Sequence, residues 1–332
     1  MLSEEKLLQK RAQSQKKRID KKADERGKSR LFVLILFLAT SGLALVFYFI
    51  SSFSQFWQKL TAPAIVRPTL EKGIASPTSF VSPTPEPWYT GLKNNLQNYL
   101  NEQADHYAVY VFGLDKEGYL GINEEEVFPA ASLIKLPVVY TLYREAERGN
   151  INLAEKYSLK KSDKLEGDFG AVNSQPEGTI YSYRGLAELA LNQSDNVAGG
   201  ILTRLLGRDK VAEEMKNLGM IKTNTVQVET TAKEIGLFFR KIAQEEVLTA
   251  AHRQEIIKYL TDTAFEEQLP SALPRSVKIA HKVGINIGIL HDGGIIYSHP
   301  PFVLVVLSEG PREKTQAVLT TVTTMVWQEL GD

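Results

Sequence analysis

The chain has no cysteine. That absence removes thiol nucleophiles, cysteine-ligated zinc and disulfides together. A domain without disulfides rests on its own apolar core, and the residues after about position 90 are numerous enough to build one. Histidine is scarce as well. His106, His252, His281, His291 and His299 show no His-Glu-x-x-His or similar ligand spacing, so no metal is expected. Neither a glycine-rich phosphate loop nor an internal repeat is present, and no cofactor is expected.

Net charge is also missing: 39 basic residues balance 39 acidic ones. The balance averages over unlike regions. Residues 1–30 hold 11 Lys/Arg against 5 Asp/Glu, which leaves 28 against 34 in the remainder. Residues 31–50, LFVLILFLATSGLALVFYFI, carry no charge at all. Twenty apolar residues make about 30 Å of helix, the thickness of a bilayer's hydrocarbon core. A buried core helix would show some polar face, and a cleaved signal peptide has a shorter basic head and a small-residue cleavage site. The reading is therefore one uncleaved transmembrane helix. The Lys/Arg excess keeps residues 1–30 in the cytoplasm as a basic tail and puts the rest outside. Phe53, Phe56 and Trp57 then fall at the outer interface. The expected localisation is a cell membrane, single-pass, with the main domain extracytoplasmic. Topology accounts for the tail, and no nucleic-acid partner is expected.

Residues 51–87 form a Pro/Ser/Thr-rich linker. Pro63, Pro68, Pro77, Pro83, Pro85 and Pro87 punctuate it, and repeated X-Pro pairs favour an extended, semi-rigid spacer. Residues 88–332 then read as one α+β domain. GLKNNLQNYLNEQ has helical periodicity and YAVYVFGLD reads as a strand, followed by a shorter strand at 119–122. A helix is expected from Ser132 to about Gly149. Residues 182–206 read as two helices meeting at Ser194 to Asn196, and further helices follow at 208–218, 231–243 and 249–261. The segments SVKIAHKVG, GGIIYSH and PFVLVVLSE are strands, and the last helix runs from Lys314 to Leu330. This order predicts an antiparallel sheet built from both chain ends, with a helical lobe between them.

Ser132-Leu133-Ile134-Lys135 is an S-x-x-K tetrad, a pattern that also occurs at Ser3/Lys6, Ser14/Lys17 and Ser158/Lys161. Context separates the first from the rest. Three-residue spacing on a helix brings hydroxyl and amine to one face. Leu133, Ile134, Leu136, Val138 and Val139 surround Lys135, and burial among them disfavours its charged form. A neutral amine beside a serine is a general base. A helix start also offers free N–H groups to a developing oxyanion. Ser194-Asp195-Asn196 follows 62 residues later; alone, it is equally a helix cap. Lys282-Val283-Gly284 comes 88 residues after that; alone, it is a cation at a strand end.

In this order the three motifs resemble those of the penicillin-recognising serine hydrolases, the class A β-lactamases and DD-peptidases, whose motifs are S-x-x-K, S-D-N and K-T-G. The resemblance spans residues 88–332, including FPAASLIKLPVVYTLY, ELALNQSDNVAGGILTRLLG, VETTAKEIGLFFRKI and IAHKVGINIGILHDGGIIY. It implies a β-lactamase/transpeptidase-like fold and an acyl-enzyme mechanism on a β-lactam or a peptidoglycan-type peptide. By the same resemblance, Ser132 is the nucleophile and Lys135 its base. Ser194 and Lys282 pass a proton to the leaving nitrogen, and Asn196 binds the substrate's side-chain amide. Gly284 admits the substrate backbone, and the N–H groups of Ser132 and Ile285 form the oxyanion hole.

Two departures qualify the match. Val283 stands where the family has Thr or Ser, removing a hydroxyl that binds the substrate carboxylate; the loss is worth about 1.5–3 kcal/mol. The family's deacylating glutamate has no counterpart either. Between Leu218-Gly219 and Thr230-Thr231 the chain has only MIKTNTVQVE, in which Glu229 abuts the next helix, and Glu177 lies on the wrong side of S-D-N. Slow deacylation is the expectation. The alternative is a catalytically silent module binding wall peptide or β-lactam, and a third reading is a structural anchor. His281 is read as a strand residue pointing away from the site, and His291-Asp292 as a turn between closing strands.

Overall fold

The computed structural model describes residues 89–331, apart from 116–117, 169 and 245–246. The basic tail, the apolar stretch 31–50 and the linker lie outside the described residues. Among the described residues no helix is long and apolar enough to cross a membrane.

The chain enters through helix α1 (Thr90–Asn101) and turns into β1 (His106–Gly113) and β2 (Tyr119–Ile122). It returns at the far end as β7 (Lys278–Asn286), β8 (Ile289–Tyr297) and β9 (Phe302–Glu309), closing with α8 (Arg312–Leu330). The five strands form one antiparallel sheet in the order β2-β1-β9-β8-β7. The first and last strands of the domain thus meet at its centre, with Tyr110 opposite Val305.

Side chains alternate along a strand, and here both faces are covered. Tyr107, Val109 and Val111 pack with Phe302, Leu304 and Val306 against α1 and α8. Ala108, Tyr110 and Phe112 pack with Val303, Val305 and Leu307 against the helical lobe. This is why β1 and β9 read as continuous apolar runs. The lobe comprises α2 (Lys135–Glu147), α3 (Tyr183–Asn192), α4 (Asn196–Leu206), α5 (Arg208–Asn217), α6 (Ala232–Gln244) and α7 (Ala250–Tyr259). Helix α2 is its axis: all residues from Lys135 to Tyr143 are buried, as expected for a helix that is apolar nearly all round.

The α+β class, the antiparallel sheet and the intervening helices agree with the sequence reading. The helix expected from Ser132 differs in detail, because residues Ala131–Ile134 form a 3-10 turn and the α-helix proper starts at Lys135. Two short ladders were not foreseen: β3 (Phe128–Pro129) with β6 (Glu229–Thr230), and β4 (Lys156–Ser158) with β5 (Ile180–Ser182). Two or three residues give too short a pattern to read by periodicity. The expected turn at His291-Asp292 is corrected: both residues lie inside β8, and the reversal falls between Asn286 and Ile289. Both are fully buried, so their polarity marks an internal network rather than a surface turn.

Gly294 on β8 sits opposite His281 on β7, and a Cβ there would lie 2.4 Å from the Ala280 carbonyl oxygen and 2.6 Å from His281 Cβ. The missing side chain is what lets the His281 ring seat beside the ladder. Gly294→Ala is expected to lower unfolding free energy by about 1–3 kcal/mol, measured by urea titration; an unchanged midpoint would contradict this packing.

Candidate active site

Four hydrogen bonds converge on one amine. Lys135 opens α2 and is 6% exposed. Its Nζ lies 2.9 Å from Ser132 Oγ, 2.7 Å from Asn196 Oδ1 and 3.3 Å from Ser194 Oγ, and it also donates to the Ser194 carbonyl. Gly199 on α4 makes the approach possible, since a Cβ there would come within 3.2 Å of Lys135 Cε. Burial pushes the amine down to about 8, against the opposing pull of Asp195 and Asp168.

The hydrogen-bond partners accommodate both protonation states. The Ser194 carbonyl oxygen accepts only. Asn196 Nδ2 donates to Asp168 Oδ1 at 3.1 Å, which turns Asn196 Oδ1 toward Lys135 as a second acceptor. Two acceptors use the two N–H bonds of a neutral amine. Ser132 Oγ, at 2.9 Å, accepts the third N–H of the ammonium form or donates its proton to the lone pair of the neutral one.

Ser194 and Asn196 come from the α3–α4 junction. Ser194 adopts a left-handed φ of 56°, which aims its carbonyl inward at the cost such a conformation carries for a side-chain residue. Asp195 caps α4: its Oδ1 accepts from the Ala198 N–H at 2.8 Å and its Oδ2 from the Val172 N–H at 2.9 Å. Within S-D-N the cap is Asp195, while Ser194 and Asn196 turn toward Lys135.

Lys282 on β7 completes the group. Its Nζ is 2.8 Å from Ser194 Oγ and 3.0 Å from the Val283 carbonyl oxygen, so the Ser194 hydroxyl lies between two lysines. Burial, followed by the Lys135 charge, holds its amine well below the ordinary lysine range, with Asp292 pulling the other way. The His281 N–H donates outward to the Leu260 carbonyl at 2.7 Å. Because backbone direction alternates, the N–H groups of Val283 and Ile285 leave β7 on the same side, its free edge. That edge packs against the 3-10 turn carrying Ser132. Gly284 lies at the closest approach, where a Cβ would meet the Ala130 carbonyl oxygen and Leu133, each at 3.2 Å.

The structure therefore joins Ser132, Lys135, Ser194, Asn196 and Lys282 in one hydrogen-bonded set. It puts Val283, Gly284 and Ile285 on the adjoining strand, with Val283 buried and Ile285 half-buried. Glu229 is taken up in the β3–β6 ladder opposite Pro129. Sequence reasoning missed Asp168, which orients Asn196, and Gly199, which admits the Lys135 stem. Asp168 carries no sequence signal, since it lies in an irregular segment 28 positions before its partner. The glycine pair in NVAGGILTRLL did carry one, as glycine inside a helix points to close packing.

His281 does not reach Ser132. Its buried ring is 2.9 Å from Asp292 Oδ1 through Nδ1, and its Nε2 lies 3.2 Å from Thr263 Oγ1 and 3.5 Å from Glu266 Oε1.

An antiparallel sheet with a helical lobe, and a serine between two buried lysines at their junction, define a fold of the β-lactamase/transpeptidase type. Residues 91–330 match the β-lactamase enzyme family, and the chain belongs to it. It is 24% identical to β-lactamase VEB-1 of Pseudomonas aeruginosa over 60% of this chain and 76% of that protein. A β-lactamase of Streptomyces lavendulae is 26% identical over 57% of this chain and 68% of its own length. Among solved structures, PBP-A is similar with a TM-score of 0.69 and 25% identity, covering 75% of this chain and 98% of that one. A PBP-A mutant has been solved as an acyl-enzyme complex with penicillin G; it is 25% identical with a TM-score of 0.66, covering 72% of this chain and 96% of that one.

The His281–Asp292 pair generates a pH prediction. Burial alone would lower the imidazole, but the Asp292 charge and hydrogen bonds to Asp292 and Glu266 outweigh it and raise it to about 9. A raised folded value stabilises fully below the unfolded value of about 6.5 and is lost as pH climbs through about 9. Lys135, lowered to about 8, acts in the opposite sense above that pH, so the difference between proteins isolates the histidine. The stability gap between wild type and His281→Asn should shrink from pH 6.5 to 9.5 in denaturant titrations. A gap that stays constant would contradict a charged His281.

Proposed function

We propose that this protein is a membrane-anchored serine hydrolase that opens amide bonds of β-lactams or wall peptides through an acyl-enzyme. The observation that carries the reading is the unbroken set of hydrogen bonds from Ser132 through Lys135 and Ser194 to Lys282. Lys135 takes the Ser132 proton as Oγ bonds to the carbonyl carbon. Backbone N–H groups of Ser132 and Ile285 receive the developing oxyanion. As the C–N bond breaks, the leaving nitrogen takes the Ser194 hydroxyl proton, which Lys135 replaces from the one it gained. Lys282 holds the Ser194 oxygen in line throughout, and Asn196 binds the substrate's side-chain amide. The penicillin adduct of PBP-A supports the acylation step.

Deacylation is the slow step in this reading. A glutamate beside Ser132 is missing from the short segment after Gly219, and Glu229 is committed to its ladder. A binding module without chemistry would have no need of Lys135, an amine lowered to about 8 by burial and set 2.9 Å from the Ser132 hydroxyl. The uncharged stretch 31–50 and the basic residues ahead of it support an anchor with the hydrolase domain extracytoplasmic. Protease added to intact cells should then release the domain, and protection of the domain would contradict that topology.

Incubation with a penicillin should give an adduct on Ser132 that persists over many minutes in intact-protein mass spectrometry. Ser132→Ala should give none. Rapid turnover of a chromogenic cephalosporin would contradict slow deacylation, and absence of any Ser132-dependent adduct would contradict the hydrolase. The acylation rate should rise with pH through about 8 as Lys135 loses its proton, a dependence that Lys135→Ala removes together with at least about 100-fold of the rate.

A further inference from the structure

The chain reaches Ser132 through the peptide that joins Pro129 to Ala130, and both polar ends of that one planar unit are held. Its N–H donates to the Val228 carbonyl at 2.6 Å. Its carbonyl oxygen lies 2.8 Å from His291 Nε2. The other ring nitrogen, Nδ1, is 3.0 Å from the backbone nitrogen of Ser308 on β9. A backbone N–H only donates, so Nδ1 must offer a lone pair and Nε2 must carry the proton. The tautomer is thus fixed by geometry. Burial pushes the ring down to about 4, against weaker opposing hydrogen bonds from Pro129 and Leu290, and it stays neutral in the working range.

The surroundings leave the ring no other seat. Phe128 stands edge-on to it, at 6.1 Å and 84°. Gly284 keeps open the slot between His291 Cβ and the Ala130 carbonyl. Immediately downstream, Ala131 has a left-handed φ of 45°, a conformation that strains a side-chain residue. Such a residue keeps its conformation only where its neighbours impose it. Because a peptide unit is planar, gripping it at both ends fixes the direction in which the chain enters this turn.

We propose that His291 is a positioning residue: by holding the Pro129 carbonyl it aims the Ala131–Ser132 turn at Lys135 and at the free edge of β7. The inference rests on Ser132 being the nucleophile. It differs from the simple view of a core histidine that ties β8 to β9 through Ser308, and two substitutions separate the two. His291→Gln keeps an N–H near the Nε2 position and its bond to Pro129. His291→Asn keeps an acceptor near the Nδ1 position for Ser308 but falls short of Pro129.

Acylation by a fluorescent penicillin would be followed at increasing concentration, beside thermal melts of each protein. The saturating rate constant should fall about ten- to a hundredfold in His291→Asn, the scale of an ångström misplacement. Its half-saturating concentration should stay near that of the wild type, and His291→Gln should keep most of the rate. An Asn variant that acylates at the wild-type rate, or a Gln variant that loses as much as Asn, would overturn the proposal. Hydrogen exchange over residues 128–134 gives an arm independent of activity: exchange should be faster in the Asn variant than in the Gln variant, and equal rates would overturn the clamp. A wild-type protein that shows no Ser132-dependent labelling would instead refute the acyl-enzyme reading, and the exchange comparison would still decide the clamp.

Discussion

Burying the Lys135 amine between the Ser132 turn and the start of α4 removes solvation that an ammonium ion needs, and lowers its pKa to about 8. Two fixed acceptors, the Ser194 carbonyl and Asn196 Oδ1, hold the amine 2.9 Å from Ser132 Oγ in either protonation state. Each acceptor has its own support: a left-handed Ser194 for one and the Asp168 hydrogen bond for the other. Lys282, only 1% exposed, adds a second buried amine whose charge would oppose that of Lys135. The Ser194 hydroxyl thus stands between two buried amines, both lowered by burial.

That arrangement demands a scaffold able to bring three distant segments within hydrogen-bond reach. The sheet does so by pairing the first strand of the domain with the last and leaving β7 at the edge, where its free N–H groups face the nucleophile turn. Close approach is bought with glycine at Gly199, Gly284 and Gly294, each placed where a Cβ would meet a neighbour. The polar residues within the sheet also have assigned partners. His281 and Asp292 form one pair behind Lys282, and His291 links β9 to the peptide that precedes the turn.

Much of this was legible in the chain itself. The long periodic helices and the apolar strands declared themselves, because their burial follows one pattern over many residues. The five hydrogen-bonded site residues were all named from three short motifs whose order, rather than any single spacing, carried the information. What escaped has a common physical cause. Asp168 and Val228 act through single contacts made by irregular segments, and His291 through two side-chain contacts from inside β8, none of which leaves a periodic trace. His291-Asp292 looked like a turn because polar residues beside glycines usually are one. Here paired strands satisfy both side chains internally, so tertiary context overrides local composition.

The charge state of the Lys135 amine can be read without any substrate. Selective 13C labelling of the lysine ε-carbons, with the Lys135 resonance assigned by substitution, would follow its titration by NMR. The account predicts a midpoint near 8, the position set by burial against the pull of Asp195 and Asp168. A Lys135 that stays an ammonium ion until pH 10 or above, as an ordinary lysine does at about 10.4, would contradict it.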